Sequence, residues 1–196
     1  MNDHADLLRQ RLLSSAQVKQ RLAEDDQALE QLAEVARVLV ECVRAGGTVF
    51  FCGNGGSATD AEHMSGELLG RFGYDRPSMP SYCLSSNVSA LTAISNDYSF
   101  DMVFARQLSG LGKPGDVLVG LSTSGNSPNV VRAVEQAQQM GVVSVAFTGA
   151  GGGKLAGLAD HVLLAPSDET PRVQECHMAV GHTLCEIVER ELHPQE

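Results

Sequence analysis

Apolar residues recur at helical spacing over about residues 5–45, with Leu29, Leu32, Val35, Val38, Leu39, Cys42 and Val43 forming one stripe. Between them the chain is rich in Leu, Ala, Gln and Glu. The pair Asp25-Asp26 suits a break or an N-cap between two helices, and Ala45-Gly46-Gly47 ends the second. From there the pattern alternates. Short apolar runs at 48–52, 81–84, 117–121, 142–147 and 161–165 read as strands. Helical stretches follow at about 58–72, 88–95, 128–140 and 171–192. Strands separated by helices predict an α/β fold: a doubly wound, five-stranded parallel sheet flanked by helices, with an N-terminal helical segment. Residues 1–46 are expected to form that segment and to serve oligomerisation, because the Leu/Val/Ala stripe needs a partner. Residues 47–196 are expected to form the sheet domain, and no linker divides the two.

Two loops in this frame are rich in glycine and serine. Gly53-Asn54-Gly55-Gly56-Ser57 follows the first strand, and Ser122-Thr123-Ser124-Gly125-Asn126-Ser127 follows the third. At a strand-to-helix turn glycines let the backbone approach a ligand, hydroxyls donate, and a helix N-terminus offers unpaired N–H groups to an anion. Right-handed crossovers gather the loops at the strand C-termini into one crevice. Two such loops point to a sugar phosphate or a similar phosphorylated ligand, without fixing the reaction. A third glycine-rich turn, 149–153, carries no side-chain donor and reads as a tight connection.

Composition narrows the partners. The 196 residues fit one domain, and 43% hydrophobic with 19% charged content is that of an ordinary globular protein. No apolar run reaches the roughly 18 residues of a membrane span, and Met1-Asn2-Asp3-His4 lacks the basic-then-apolar layout of a secretory signal. A net charge of −10 argues against general nucleic-acid binding. Cys42, Cys52, Cys83, Cys176 and Cys185 contain no C-x-x-C pair and read as reduced thiols of a cytoplasmic protein.

Chemistry concentrates at two places. His63 and Glu67 stand four apart on the helix that opens at Ser57, so they share a face: a solvated pair, or an imidazole–carboxylate set for a metal. Asp60, one turn earlier, is placed to orient the His63 ring. The last helix holds Gln174, Glu175, His177 and His182. His182 falls among Val173, Met178, Val180, Leu184, Ile187 and Val188, where spacing leaves a core histidine and a functional one equally open. Gln174 and His182 lie roughly 12 Å apart along a continuous helix. Both reach one metal only with extended side chains or from different subunits, which favours a site between subunits.

The runs CGNGGSATDAEHMSGELLGRF (52–72), the pair Asn96-Asp97, STSGNSPNV (122–130) and RVQECHMAVGH (172–182) together resemble the phosphoheptose isomerases of the sugar isomerase (SIS) group, over about residues 5–192. The resemblance implies interconversion of sedoheptulose 7-phosphate and D-glycero-D-manno-heptose 7-phosphate, toward nucleotide-activated heptose for lipopolysaccharide. It also implies a cytoplasmic homotetramer with sites between subunits, and no nucleic-acid or membrane partner. Zinc would be held by His63, Glu67, Gln174 and His182. The phosphate would sit on Ser122, Thr123, Ser124 and Ser127, with Ser57 nearby. Asn54, Gly55, Gly56, Asn96, Asp97 and Gln174 would complete the sugar site. Glu67 is the candidate base and His182 the candidate acid, in keeping with proton transfer through an enediol. Two other readings share the loops. One is a protein-binding regulator of replication initiation, against which the presence of both Glu67 and His182 counts. The other is an isomerase or sensor of a different phosphosugar.

Overall fold

The computed structural model describes residues 3–195. Helix α1 (Asp3–Ala23) leads into α2 (Asp26–Arg44), and the break falls at the acidic pair. Asp25 accepts from the Ala28 N–H at 3.0 Å, a cap of about 1 kcal/mol. The sheet follows: β1 (Val49–Cys52), α3 (Gly56–Leu69), β2 (Ser81–Cys83), α4 (Val88–Asp97), α5 (Val103–Leu111), β3 (Val117–Leu121), α6 (Pro128–Met140), β4 (Val143–Thr148), β5 (His161–Leu164) and α7 (Thr170–Leu192). Single 3-10 turns precede α5 and β5.

All five strands are parallel, in the order β2-β1-β3-β4-β5. Alternate residues of each strand enter opposite layers. Val49, Phe51, Val117, Val119, Val145, Phe147 and Leu163 pack with α2, α3 and α7. Phe50, Cys52, Leu118 and Ala146 pack under α5 and α6. Each Val, Leu or Phe among them contributes about 1.5–3 kcal/mol of burial. Val35, Ala36, Leu39, Val40 and Cys42 of α2 share the first of these layers, so α2 is part of the sheet domain's own core. On α1 only Val18 and Leu22 are buried, while Leu7, Leu8, Leu12 and Leu13 stay exposed.

Two expectations need correction. Helix α3 stops at Leu69, short of 72, because Gly70 closes it and residues beyond turn toward α7. Helix α5 is an addition: Val103, Phe104, Ala105, Gln107 and Leu108 are buried, yet the element is nine residues long and has no side-chain N-cap to announce it.

Candidate active site

The strand order reverses between β1 and β3, where an open α/β sheet presents its ligand crevice. Both glycine–serine loops stand there. In the first, a Cβ on Gly53 would lie 2.4 Å from the Ser57 carbonyl oxygen, so the turn into α3 closes only with glycine. Ser57 is buried in the first turn of α3, and no side chain caps that helix. In the second, the Ser122 and Ser127 hydroxyls bond each other at 2.8 Å. Thr123 is half-buried and Ser124 exposed, and Ser127, which precedes α6, likewise makes no side-chain cap. Such helix starts favour an anion through their dipole, although the Ser57, Ala58 and Val130 N–H groups are already taken by the Asn54 and Gly55 carbonyls and by Asn129 Oδ1.

The 149–153 turn supports the second loop from behind. Gly149 N–H donates to the Thr123 carbonyl at 3.0 Å, and Lys154 N–H to Asn126 Oδ1 at 3.0 Å. A Cβ on Gly125, whose φ is +64°, would fall 2.0 Å from the Gly152 oxygen. The two loops are also joined to each other: Asn54 and Asn129 exchange carboxamide hydrogen bonds, each 2.8 Å.

The second group forms where α3 crosses α7. Glu67 Oε1 and His63 Nε2 are 3.0 Å apart, and His182 Nε2 comes across from α7 to 3.2 Å from His63 Nε2. The approach is close because Gly181 lets Met64 lie against the α7 backbone; a Cβ there would stand 2.3 Å from the Met64 sulfur. One donor atom from each of His63, Glu67 and His182 falls within 4.8 Å of the others. Two ligands at about 2.0–2.1 Å from a tetrahedral zinc stand about 3.3 Å from each other, so these separations fit one ion, as does the nitrogen–oxygen donor set.

Gln174, two turns before His182, lies over the first loop, and a Cβ on Gly56 would meet its Nε2 at 2.6 Å. It lines a cleft of about 520 Å³ with Lys19, Asp60, Glu175, Met178 and His182. Asp60 does not orient the His63 ring: no hydrogen bond joins them among the described residues, and Asp60 Oδ2 is buried with no partner there. Burial pushes its carboxyl above the usual range, against the opposing pull of His63. Asn96 and Asp97, exposed at the end of α4, bond each other at 2.9 Å and neither loop.

The SIS domain family matches residues 14–149. A phosphoheptose isomerase of Akkermansia muciniphila is 52% identical over 159 residues, covering 81% of this chain and 84% of its own. Another, of Sulfurimonas denitrificans, is 44% identical over 185 residues, covering 94% and 95%. This chain belongs to the phosphoheptose isomerase family. The solved structure of a phosphoheptose isomerase from Francisella tularensis superposes with a TM-score of 0.90 at 36% identity, covering 95% of this chain and 98% of that one.

Two groups that support this candidate site went unread in the sequence. Asn129 is one, since a lone asparagine in the first turn of a helix carries no pattern. The other is the buried pair Arg76–Glu189, with side chains 2% and 1% exposed and Nε and Oε1 3.0 Å apart. Arg76 Nη2 donates to the Glu67 carbonyl and Nη1 to the Leu68 carbonyl, both at 2.8 Å, placing a cation on the open C-terminus of α3. Burial alone would raise the Glu189 carboxyl. The N–H groups of Gly73 and Phe72 and the Arg76 guanidinium together hold it below the usual range. The 72–73 loop is thereby fixed to α7, and the Phe72 ring rests 5.9 Å from that of His182.

Proposed function

We propose that the protein is an aldose–ketose isomerase interconverting sedoheptulose 7-phosphate and D-glycero-D-manno-heptose 7-phosphate. The observation that carries the reading is the meeting of His63 and Glu67 with His182, one helix beyond loops suited to a phosphate. In this reading Ser57, Ser122, Thr123, Ser124 and Ser127 take the phosphate, with Asn54, Gly55, Gly56 and Gln174 along the sugar. Asn96 and Asp97 reach the same substrate from α4.

The reaction moves one proton between C1 and C2. Glu67 removes the C1 proton as the C2 carbonyl oxygen accepts one from His182, giving the enediol. Glu67 then returns its proton to C2 while the C1 hydroxyl gives its own back to His182, leaving the aldehyde. No net proton or electron is exchanged with solvent. His63, Glu67, Gln174 and His182 would hold zinc, which when bound supplies Lewis-acid polarisation of the carbonyl. Glu67 and His182 belong to both sets, so metal content and turnover need separate measurement.

The remaining assignments follow from this reading. A homotetramer would cover the exposed leucines of α1 and place sites between subunits. A cytoplasmic location suits five cysteines that are all free and buried. No described helix is long and apolar enough to cross a membrane. The product would feed nucleotide-activated heptose for lipopolysaccharide.

Purified protein is expected to turn over sedoheptulose 7-phosphate. Glu67→Gln and His182→Ala should each lower kcat by about a hundredfold or more. Chelation should abolish turnover and zinc restore it. A metal-loaded wild type that leaves this substrate untouched would remove the isomerase assignment.

A further inference from the structure

Asn54 and Asn129 come from different loops and close a reciprocal pair. Asn54 Nδ2 donates to Asn129 Oδ1, and Asn129 Nδ2 donates to Asn54 Oδ1, each at 2.8 Å. Asn129 Oδ1 also accepts the Val130 N–H at 3.0 Å. That backbone donor decides which way the amide points, because a flipped carboxamide would set N–H against N–H. With Asn129 oriented, only one orientation of Asn54 completes the pair. Asn129 is 1% exposed, so water does not replace a lost partner and each bond is expensive to break.

The pair bridges the seam where the strand order reverses. β1 and β3 are paired there through Cys52 and Gly120. On one side stands the first turn of α3; on the other, the Ser122–Ser127 hydroxyl pair and the first turn of α6. An anion gripped from both sides is sensitive to the distance between them, and an error of about 1 Å in such a grip is costly. The pair also consumes one donor and one acceptor of Asn54, leaving its carboxamide one N–H and one lone pair for the crevice.

We propose that Asn129 is a positioning residue: without touching the substrate it sets the spacing of the two phosphate-binding loops, acting through Asn54. The proposal rests on reading these loops as the phosphate end of an isomerase site.

The test uses Asn129→Ala, Asn54→Ala and the double variant. In the protein without ligand, Asn54→Ala should speed amide hydrogen exchange across 122–127 about tenfold, and Asn129→Ala should do the same across 53–57. A cap confined to α6, or a direct sugar contact by Asn54, leaves the opposite loop unmoved. Asn129→Ala should raise KM for sedoheptulose 7-phosphate about tenfold with kcat within about twofold, and the double variant should be no worse than the worse single. An unchanged KM in Asn129→Ala, effects that multiply in the double variant, or exchange unchanged in the far loop would overturn the proposal. Where Asn129→Ala fails to fold, Asn54→Ala severs the same two bonds from a half-buried position and the exchange measurement decides. Should the wild type bind inorganic phosphate yet not turn over the sugar, the isomerase reading fails. The phosphate dissociation constant of Asn129→Ala then decides the tie, a rise supporting it and no change overturning it.

Discussion

His177 and His182 are five residues apart on α7 and point about 140° from each other. One turns to the sheet, the other to α3. His177 is fully buried, and its Nε2–H donates to the Thr148 carbonyl at 3.0 Å, which makes it the neutral tautomer with Nδ1 bare. Burial lowers its pKa from 6.5 to about 4, opposed by that hydrogen bond. The folded value lies below the unfolded one, so the unfolded chain binds more protons between those pH values. Its contribution is complete above about pH 6.5 and is lost as pH falls through 4, amounting to about 3 kcal/mol. Urea midpoints measured from pH 7 to 4 should therefore fall less steeply in His177→Gln than in wild type; parallel declines would place the acid sensitivity elsewhere. The sequence placed both histidines on one apolar helix and could not separate them. What separates them is the neighbour each one meets, and that neighbour comes from another element.

Where α3 crosses α7, the separation of two helices decides whether three side chains meet. Gly181 sets that separation, and its Cβ position is already filled by the Met64 sulfur. Gly181→Ala should push the helices apart, cost about 1–3 kcal/mol of stability and weaken zinc binding by about tenfold. Gly66→Ala, on the open side of α3 with nothing near its Cβ, is the control: metal binding unchanged and stability raised by about 0.5–1 kcal/mol. Equal zinc affinity in the two variants would show that the crossing does not govern the cluster. Elements differed in how plainly the chain announces them. The place of the glycine–serine loops was legible because each follows an apolar run and precedes a helical one. Helix α5 was not, since it starts from a 3-10 turn and its five buried residues give no caps. The end of α3 was also lost, because Arg76 and Glu189, which fix the following loop, are 113 positions apart in the chain.

Across the whole molecule, the parallel sheet and its two covering layers follow from the alternation of apolar runs, whereas the order β2-β1-β3-β4-β5, which sets the crevice between β1 and β3, comes from the structure. The cluster of His63, Glu67 and His182 was half legible, its α3 pair from spacing and its α7 member only through the resemblance. The stripe read as needing a partner lies on α2 and is largely spent on the sheet core, while the exposed leucines of α1 were not singled out in the sequence. Leu8 and Leu12 are 64% and 70% exposed, a patch that solvent leaves unsatisfied. Leu8→Glu combined with Leu12→Glu should shift sedimentation from the proposed tetramer toward smaller species; an unaltered profile would place the interface elsewhere. Helix α3 spans the distance from Ser57, in the glycine–serine loop, to Glu67 in the cluster, ten residues on one rod. A loop of that length could absorb an inserted residue by bulging. A helix cannot: one insertion between Ser57 and His63 swings everything beyond it by about 100° and advances it about 1.5 Å, carrying His63 and Glu67 away from α7. The spacing between the two ends of the site is thus set by the residue count along the helix, and this stretch tolerates exchange of many side chains but not a change in their number.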